Sequence, residues 1–189
     1  MSFFRKEKNF TIREMIAMEK ELKCSALFTM NLHADDKDLF KKLQLKVEYV
    51  DGMEDDNEAE LMPVNDGTYL GLIRLRRELK KYRFAYIHEI IHYIFDVGYG
   101  KKVTKTFTRK RKGKTDSSDE QKINYKTAAY IMPYSQILDA LEMYDSNNPK
   151  MDELKFVRGL QKHYEQNETA VIRRIREVRS LKKSGYMDP

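Results

Sequence analysis

The sequence is poor in several residues that would mark particular classes of protein. It has a single cysteine, Cys24, and no tryptophan. One cysteine excludes an internal disulfide and is typical of a reducing compartment. No apolar run is long enough to cross a bilayer, and the stretch Met1 to Lys8 lacks the apolar core of a signal peptide. These absences predict a cytoplasmic protein that does not bind membranes.

Acidic residues are in the minority, and both signs of charge are unevenly distributed. Lysine and arginine total 36 against 30 aspartate and glutamate residues, which gives a net charge of +6. Residues 51–60 are acidic, whereas residues 101–114 contain eight lysines and arginines and no acid. A basic run of this kind is most often a solvated loop. A rim that steers substrate and a phosphate contact are the functional alternatives.

Histidine is also scarce, yet two of the four histidines stand four residues apart, in His88-Glu89-Ile90-Ile91-His92. On an α-helix, residues i and i+4 lie one above the other, so both imidazoles can bind one Zn²⁺. Glu89 lies beside the first imidazole, where its carboxylate can take a proton from a zinc-bound water. The spacing therefore predicts zinc hydrolase chemistry, with Glu89 as the general base.

A simpler interpretation is a partly exposed helix on which two histidines and a glutamate have no chemical purpose. The neighbouring residues Ile87, Ile90 and Ile91 argue against it, because they predict a buried helix. Buried polar groups that lack partners cost free energy, and a metal ion would offset that cost. We therefore favour the metal interpretation.

A catalytic zinc usually has three protein ligands, so the third must come from outside this motif. Glu120 is the first choice, because it begins a predicted helix from which its carboxylate can reach a neighbouring helix. Asn124 lies one turn further on the same face and is suited to hold a ligand histidine by its ring N–H. Glu120 also has a structural interpretation, as the return partner of Ser117 in a capping box. Four other side chains are alternative ligands: Asp96, Asp119, His33 and His163.

Hydrophobic periodicity predicts a mixed α+β protein. The predicted strands, taken as an antiparallel meander, cover residues 45–50, 60–64 and 68–75. A hairpin is predicted over residues 103–107, with its tip at 110–114. Helices are predicted over residues 12–22, 35–43, 84–95, 117–131, 134–144, 151–164 and 168–183. An extended peptide is expected to bind along an edge strand near residues 69–73.

The last two predicted helices each have one apolar face. Four arginines are expected to lie outward on the second of them: Arg173, Arg174, Arg176 and Arg179. The pair resembles a helix-turn-helix. Because basic helices are usually solvated, docking on the core or on a protein substrate is favoured over contact with DNA.

Two blocks of the sequence resemble the ImmA/IrrE-type metallopeptidase family. Arg83 and Phe84 precede the histidine motif at the family's spacing. The positions in register with the family's second block are Glu120, Asn124, Ala128, Ile131, Met132 and Pro133. The resemblance covers about residues 45–140, and it implies that Glu120 is the third zinc ligand and that Asn124 orients a ligand. Ile91 replaces a common glycine, a departure that affects packing rather than metal binding.

The linker signal at Asp145–Pro149 and the resemblance together predict two domains. Residues 1–145 would form a zincin-like core, with a small antiparallel sheet packed on the motif helix, and residues 149–189 a C-terminal helical lobe. The resemblance implies a zinc-dependent endopeptidase that cleaves or otherwise inactivates a helix-turn-helix transcriptional repressor of a mobile element or a stress response. The alternative is a regulatory protein that binds a repressor or DNA through the C-terminal helices without catalysis. Glu89 favours the enzyme, because a binding site needs no base beside its ligand.

Overall fold

The computed structural model describes residues 10–29, 36–53, 57–65, 67–79, 83–110, 117–146 and 152–187. The helices are α1 (Ile12–Lys23), α2 (Ala26–Thr29), α3 (Asp36–Lys42), α4 (Arg83–His92), α5 (Ser118–Ile131), α6 (Tyr134–Ser146), α7 (Glu153–Tyr164) and α8 (Glu168–Lys183). The strands are β1 (Leu45–Val50), β2 (Asn57–Met62), β3 (Gly71–Arg76) and β4 (Phe107–Lys110). A 3₁₀ turn spans Arg77–Leu79, and a π-helical turn spans Tyr93–Gly98. The fold is mixed α+β, as predicted.

The chain groups into two compact units. One unit is Leu22–Thr115, which contains the sheet and α4. The other unit joins Met1–Glu21 to Asp116–Pro189 and contains most of α1 together with α5 to α8. The domain boundary between residues 145 and 149 stays a prediction. Within the described part of the chain, none of the helices combines the length and the apolar character that crossing a membrane requires.

The four strands form one mixed sheet in the order β1–β3–β2–β4. β1 pairs in parallel with β3, from Leu45 opposite Gly71 to Val50 opposite Arg76. β2 pairs antiparallel with β3 on one side and antiparallel with β4 on the other. The predicted antiparallel meander is therefore wrong in its strand order and in the pairing of β1.

The side chains of β3 and β1 explain this order. Ile73 and Leu75 of β3 are fully buried, so the strand gains most from neighbours on both sides. β1 carries an exposed ion pair, with Lys46 Nζ 2.9 Å from Glu48 Oε1, and charged side chains suit the edge of a sheet. Consecutive strands usually pair, but here the burial of β3 outweighs that tendency.

The segment that follows the π-helical turn returns to the start of β3 before it forms β4. The Val103 N–H donates to the Leu70 carbonyl at 2.7 Å, and the Val103 side chain covers Gly71 closely. The chain then joins the sheet as the single strand β4, paired with β2. The predicted hairpin over residues 103–107 is therefore wrong, and residues 111–114 of its tip lie outside the described residues.

The helix α4 contacts β2 and β3. Seven of its ten residues are buried, namely Ala85, Ile87, His88, Glu89, Ile90, Ile91 and His92. A helix that is apolar around most of its surface belongs in a protein interior. The isoleucines therefore bring the polar residues of the motif into the interior with them, as the sequence predicted.

Arg174 of α8 is buried in the other unit, which corrects the expectation that it lies outward. Its guanidinium donates to Glu19 Oε1 of α1 at 2.7 Å and to the Met132 carbonyl at 2.9 Å. A second carboxylate, that of Glu177, lies 3.4 Å away. Arg174 thus connects α8 to α1 and to the end of α5. Periodicity could not reveal this role, because Glu19 lies 155 positions earlier in the chain.

Local capping signals determine the ends of α7 and α8. The Asp152 side chain accepts from the Leu154 N–H at the start of α7. The Asn167 side chain accepts from the Ala170 N–H at the start of α8. α8 contacts α5 and α6 as well as α7. The last two helices therefore belong to the same compact unit as α5 and α6.

Candidate metal centre

Both motif histidines lie on one face of α4, in a largely apolar setting. His88 is 0% exposed, Glu89 is 1% exposed and His92 is 8% exposed. The ring centroids of His88 and His92 are 4.8 Å apart. Phe84 lies 6.1 Å from the His88 ring, and Phe107 of β4 lies 5.6 Å from the His92 ring. The i, i+4 spacing therefore brings two imidazoles and a carboxylate together where little bulk water competes with them.

A carboxylate orients the second histidine. His92 Nδ1 lies 2.6 Å from Asp96 Oδ2. Because Nδ1 is engaged with a carboxylate, Nε2 is the nitrogen that His92 would present to a metal. This is how a carboxylate fixes the tautomer and orientation of a ligand histidine. The sequence singled out Asp96 as an alternative ligand; the structure instead gives it a direct contact with a ligand candidate.

Asp96 lies in a π-helical turn that continues α4 without a break. In a π-helical turn each backbone hydrogen bond joins residues five apart instead of four, which widens the helix. Such turns are frequent at functional sites. Gly98, with φ of 104°, ends the helical segment. The Gly100 N–H then donates to the Tyr93 hydroxyl at 3.1 Å, and burial raises the pKa of Tyr93. The Tyr93 hydroxyl is therefore used to close the turn that follows the site.

The predicted third ligand is at the start of α5, in the other compact unit. Ser117 caps this helix by accepting from the Glu120 N–H at 3.2 Å, which is one half of the expected capping box. Glu120 is half-buried in the first helical turn, and Asn124 is half-buried one turn further on.

Other candidate ligands have different surroundings. Asp119 is exposed and lies 2.9 Å from Lys122 Nζ, and the hydrogen bond and charge of Lys122 lower its pKa. His163 is exposed on α7, with its ring 4.6 Å from that of Tyr164. His33 lies outside the described residues. The surroundings of Asp119 and His163 are those of surface residues.

Sequence reasoning missed Phe107, which lies beside His92, and Lys105, which lies over the Phe107 ring. Phe107 faces His92, and Lys105 Nζ lies 4.9 Å from the centroid of the Phe107 ring. Both follow from the position of β4 in the sheet, which the sequence did not reveal. The same strand corrects the expected peptide-binding edge. Residues 71–73 belong to the central strand β3, whereas β4 forms one edge of the described sheet.

Comparison with known proteins identifies one family. A family model, Peptidase_M78, described as the IrrE N-terminal-like domain, matches residues 40–176. That span contains the sheet, the histidine helix, α5, α6, α7 and half of α8. No match was found among curated proteins or among solved structures.

Proposed function

Since the chain belongs to the peptidase family of the IrrE N-terminal-like domain, we propose that this metallopeptidase-type protein is a zinc-dependent endopeptidase. We expect its zinc to be held by His88, His92 and Glu120. Two imidazoles and a carboxylate are a common ligand set for catalytic zinc. The observation that carries the proposal is the pair of buried imidazoles on α4, one of them held by Asp96.

Glu89 is the residue that we propose for proton transfer. It lies next to His88 on a buried helix, where a carboxylate is shielded from bulk water. In peptide hydrolysis, such a carboxylate takes a proton from the attacking water and later delivers it to the leaving amine. When bound, zinc would supply a Lewis acid that polarises the scissile carbonyl and increases the acidity of water.

Asp96 and Asn124 are proposed as the residues that orient the ligands. Asp96 engages Nδ1 of His92, which leaves the ring in one tautomer. Asn124, one helical turn after Glu120, is expected to hold a ligand histidine from α5. Both roles act through ligand orientation rather than through contact with substrate.

The proposed substrate is a helix-turn-helix transcriptional repressor of a mobile element or a stress response. This part of the proposal rests on the resemblance of the two sequence blocks to ImmA/IrrE-type peptidases. An extended segment of the repressor would add to the sheet at β4, the edge strand whose Phe107 faces His92.

The alternative of a protein that binds DNA through its last helices has less support. Arg174 is buried against Glu19, and Arg173 is bonded to Glu177 at 3.0 Å. Only Arg176 and Arg179 of the four arginines are exposed. Two exposed arginines on one helix are a small electrostatic footprint for DNA binding.

The test combines metal content with peptide hydrolysis. The wild type, Glu89→Gln, His92→Ala and Glu120→Ala would be analysed for bound zinc and assayed with a quenched fluorescent peptide library. We expect about one zinc per chain in the wild type and in Glu89→Gln, little zinc in the two ligand variants, and hydrolysis by the wild type alone. Hydrolysis by Glu89→Gln at the wild-type rate would contradict the proposed base. A folded wild type that takes up no zinc would contradict the enzyme.

A further inference from the structure

We infer that the outer edge of β4 binds an extended peptide segment that is acidic. If the protein is the peptidase proposed above, on which this consequence rests, it should prefer substrates with aspartate and glutamate near the cleaved bond. The structural basis of the inference is the position of β4 beside His92, together with three exposed lysines before the strand that form no ion pair with a carboxylate of the described residues.

β4 is the strand through which a peptide would reach the histidines. Its inner side pairs with β2, from Leu61 opposite Phe107 to Asn57 opposite Lys110. No strand of the described residues pairs with its outer side. An edge strand exposes a row of N–H and carbonyl groups that can accept another strand. Since the Phe107 ring lies 5.6 Å from His92, a peptide added here would pass close to the candidate metal ligands.

The segment that leads into β4 supplies positive charge at the same place. Lys101, Lys102 and Lys105 are exposed, and Lys105 Nζ lies over the Phe107 ring, 4.9 Å from its centroid. Phe107 therefore lies between the imidazole of His92 and the ammonium group of Lys105, and contacts both. A peptide side chain that passes Phe107 would meet this positive charge.

Within the part of the chain that the structure describes, these lysines have no acidic partner. Among the described residues, no carboxylate forms an ion pair with Lys101, Lys102 or Lys105, whereas Lys122 and Lys126 are each paired with an acid. The sequence from residue 101 to residue 114 contains no acid at all. The positive charge at this edge is therefore available to a ligand.

The acidic neighbour on β2 does not account for the lysines. Glu60, which lies opposite Thr108 of β4, accepts from Asn57 at 2.9 Å and is paired with Arg74 at 3.3 Å. Its carboxylate is thus already satisfied within the sheet. Glu60 is consequently not an ion-pair partner of the lysines before β4.

The charge also explains how an exposed edge could discriminate between strands. Like charges on an edge strand repel a second copy of the same strand and so limit aggregation. An acidic strand is attracted by the same lysines, and each exposed ion pair strengthens binding by a few-fold at most. The main-chain hydrogen bonds would provide affinity for any extended peptide, and the lysines would provide the preference for acidic ones.

The experiment measures binding separately from cleavage. Full-length Glu89→Gln protein would be titrated into fluorescein-labelled decapeptides of one design, with Glu, Ser or Lys at alternate positions, and anisotropy would be followed at low salt. We expect the Glu peptide to bind about tenfold more tightly than the Ser peptide, and the Lys peptide to bind most weakly. The preference should decrease as salt increases, because the lysines are exposed.

Two charge reversals locate the effect. Lys105→Glu should remove or reverse the preference for the Glu peptide. Lys42→Glu makes the same change in net charge on α3, which contacts β1 at the opposite edge of the sheet, and should leave the preference unchanged. Equal affinity for the three peptides, or an equal effect of both reversals, would overturn the inference.

Two further probes separate strand addition from simple attraction of polyanions. A Glu peptide with proline at alternate positions cannot form the main-chain ladder and should bind at least tenfold more weakly. A labelled DNA duplex of similar charge should compete poorly with the Glu peptide. Undiminished binding of the proline peptide, or stronger binding of DNA, would contradict acidic strand addition.

Cleavage of the same peptides by the wild type shows whether a negative result counts against the acidic preference or against the proposed peptidase activity. Tight binding of the Glu peptide without cleavage would count against the peptidase but not against the acidic docking edge. Cleavage of all three peptides with equal efficiency would support the peptidase and overturn the acidic preference.

Discussion

At the scale of single residues, Asp96 shows how a side chain outside the motif can orient a histidine of the candidate metal site. Its carboxylate lies 2.6 Å from Nδ1 of His92, so its loss would free the imidazole to rotate or to change tautomer. For Asp96→Asn we expect zinc affinity to fall roughly 10- to 100-fold, the usual cost of losing such a partner. Competition with a chromophoric chelator measures this directly, without any assay of activity.

A matched change elsewhere in the same unit controls for the loss of one carboxylate. Asp38 is exposed on α3, and Asp38→Asn should leave zinc affinity unchanged. Equal affinities of wild type and Asp96→Asn would mean that His92 is oriented by something other than Asp96.

A second residue-scale prediction concerns alkaline pH. Burial raises the pKa of Tyr186 to about 12, from an ordinary value of 10.0. The unfolded chain therefore loses this proton at lower pH than the folded chain, so the contribution is complete below pH 10 and is lost as pH rises toward 12. For the wild type we expect the free energy of unfolding to fall by up to about 2 kcal/mol from this group over that interval.

The Tyr186→Phe variant tests this contribution by urea unfolding at several pH values. Among the described residues, the Tyr186 hydroxyl has no hydrogen-bond partner, so its removal should cost almost nothing at neutral pH. The variant should lose less stability than the wild type above pH 10. Tyr99→Phe, a change at an exposed position, should follow the wild type, and identical alkaline slopes for all three proteins would contradict the assignment.

The sequence revealed the residues of the candidate site that are neighbours on one helix. It missed those that come together only through the pairing of distant strands. His88, Glu89 and His92 follow from the geometry of one helix, which a spacing of four residues expresses completely. Phe107 meets His92 only because β4 pairs with β2, and nothing near Phe107 in the sequence indicates that pairing. Glu120 was selected by a two-block resemblance, since spacing alone left Asp96 and Asp119 as alternatives.

At the scale of secondary-structure elements, the approach of the β4 segment to β3 depends on one glycine. A β-carbon on Gly71 would lie 2.5 Å from Val103 Cγ2 and 3.2 Å from Leu45 Cδ2. We therefore expect Gly71→Ala to lower the free energy of unfolding by about 1–3 kcal/mol, the range for overpacking a tight interior. Thermal or urea unfolding of the purified variant gives the value.

A control and a double variant show whether the cost is steric. Gly52→Ala meets no atom within 4 Å and should change stability by no more than about 0.5 kcal/mol. If the β-carbon displaces Val103, the cost of Val103→Ala should be smaller in the Gly71→Ala background than in the wild type. Additive costs would contradict the contact.

Elements were predicted well and their pairings poorly, for a physical reason. Periodicity and caps are properties of neighbouring residues, so the helices from α5 to α8 lie close to the predicted ranges. Strand order depends on which strand gains most from burial on both sides, and that is decided by the whole sheet. The central position of β3, with Ile73 and Leu75 fully buried, was therefore not visible in the order of the strands along the chain.

At the scale of the whole molecule, Arg174 carries the largest expected effect on stability. It is fully buried against Glu19 and the Met132 carbonyl, with Glu177 nearby. Removing the cation leaves buried carboxylates without compensation, so we expect Arg174→Met to cost about 3–5 kcal/mol of unfolding free energy. Urea unfolding at pH 7 measures it.

The neighbouring exposed arginine provides the comparison. Arg176 lies on the solvent side of the same helix, and Arg176→Met should cost less than about 0.5 kcal/mol. In an Arg174→Met background, Glu19→Gln should recover part of the loss because it removes a buried charge. Equal stability of the two methionine variants would contradict the internal role of Arg174.

The pairing of Glu19 with Arg174 also has a consequence for the order of events during synthesis. The arginine leaves the ribosome 155 residues after the glutamate, a delay of roughly 8–30 s at ordinary rates of translation. In that interval the whole of Leu22–Thr115, a compact unit formed by one continuous stretch of chain, is synthesised. Glu19 is thus made long before its buried partner, and α1 reaches this contact only after Arg174 of α8 has been synthesised.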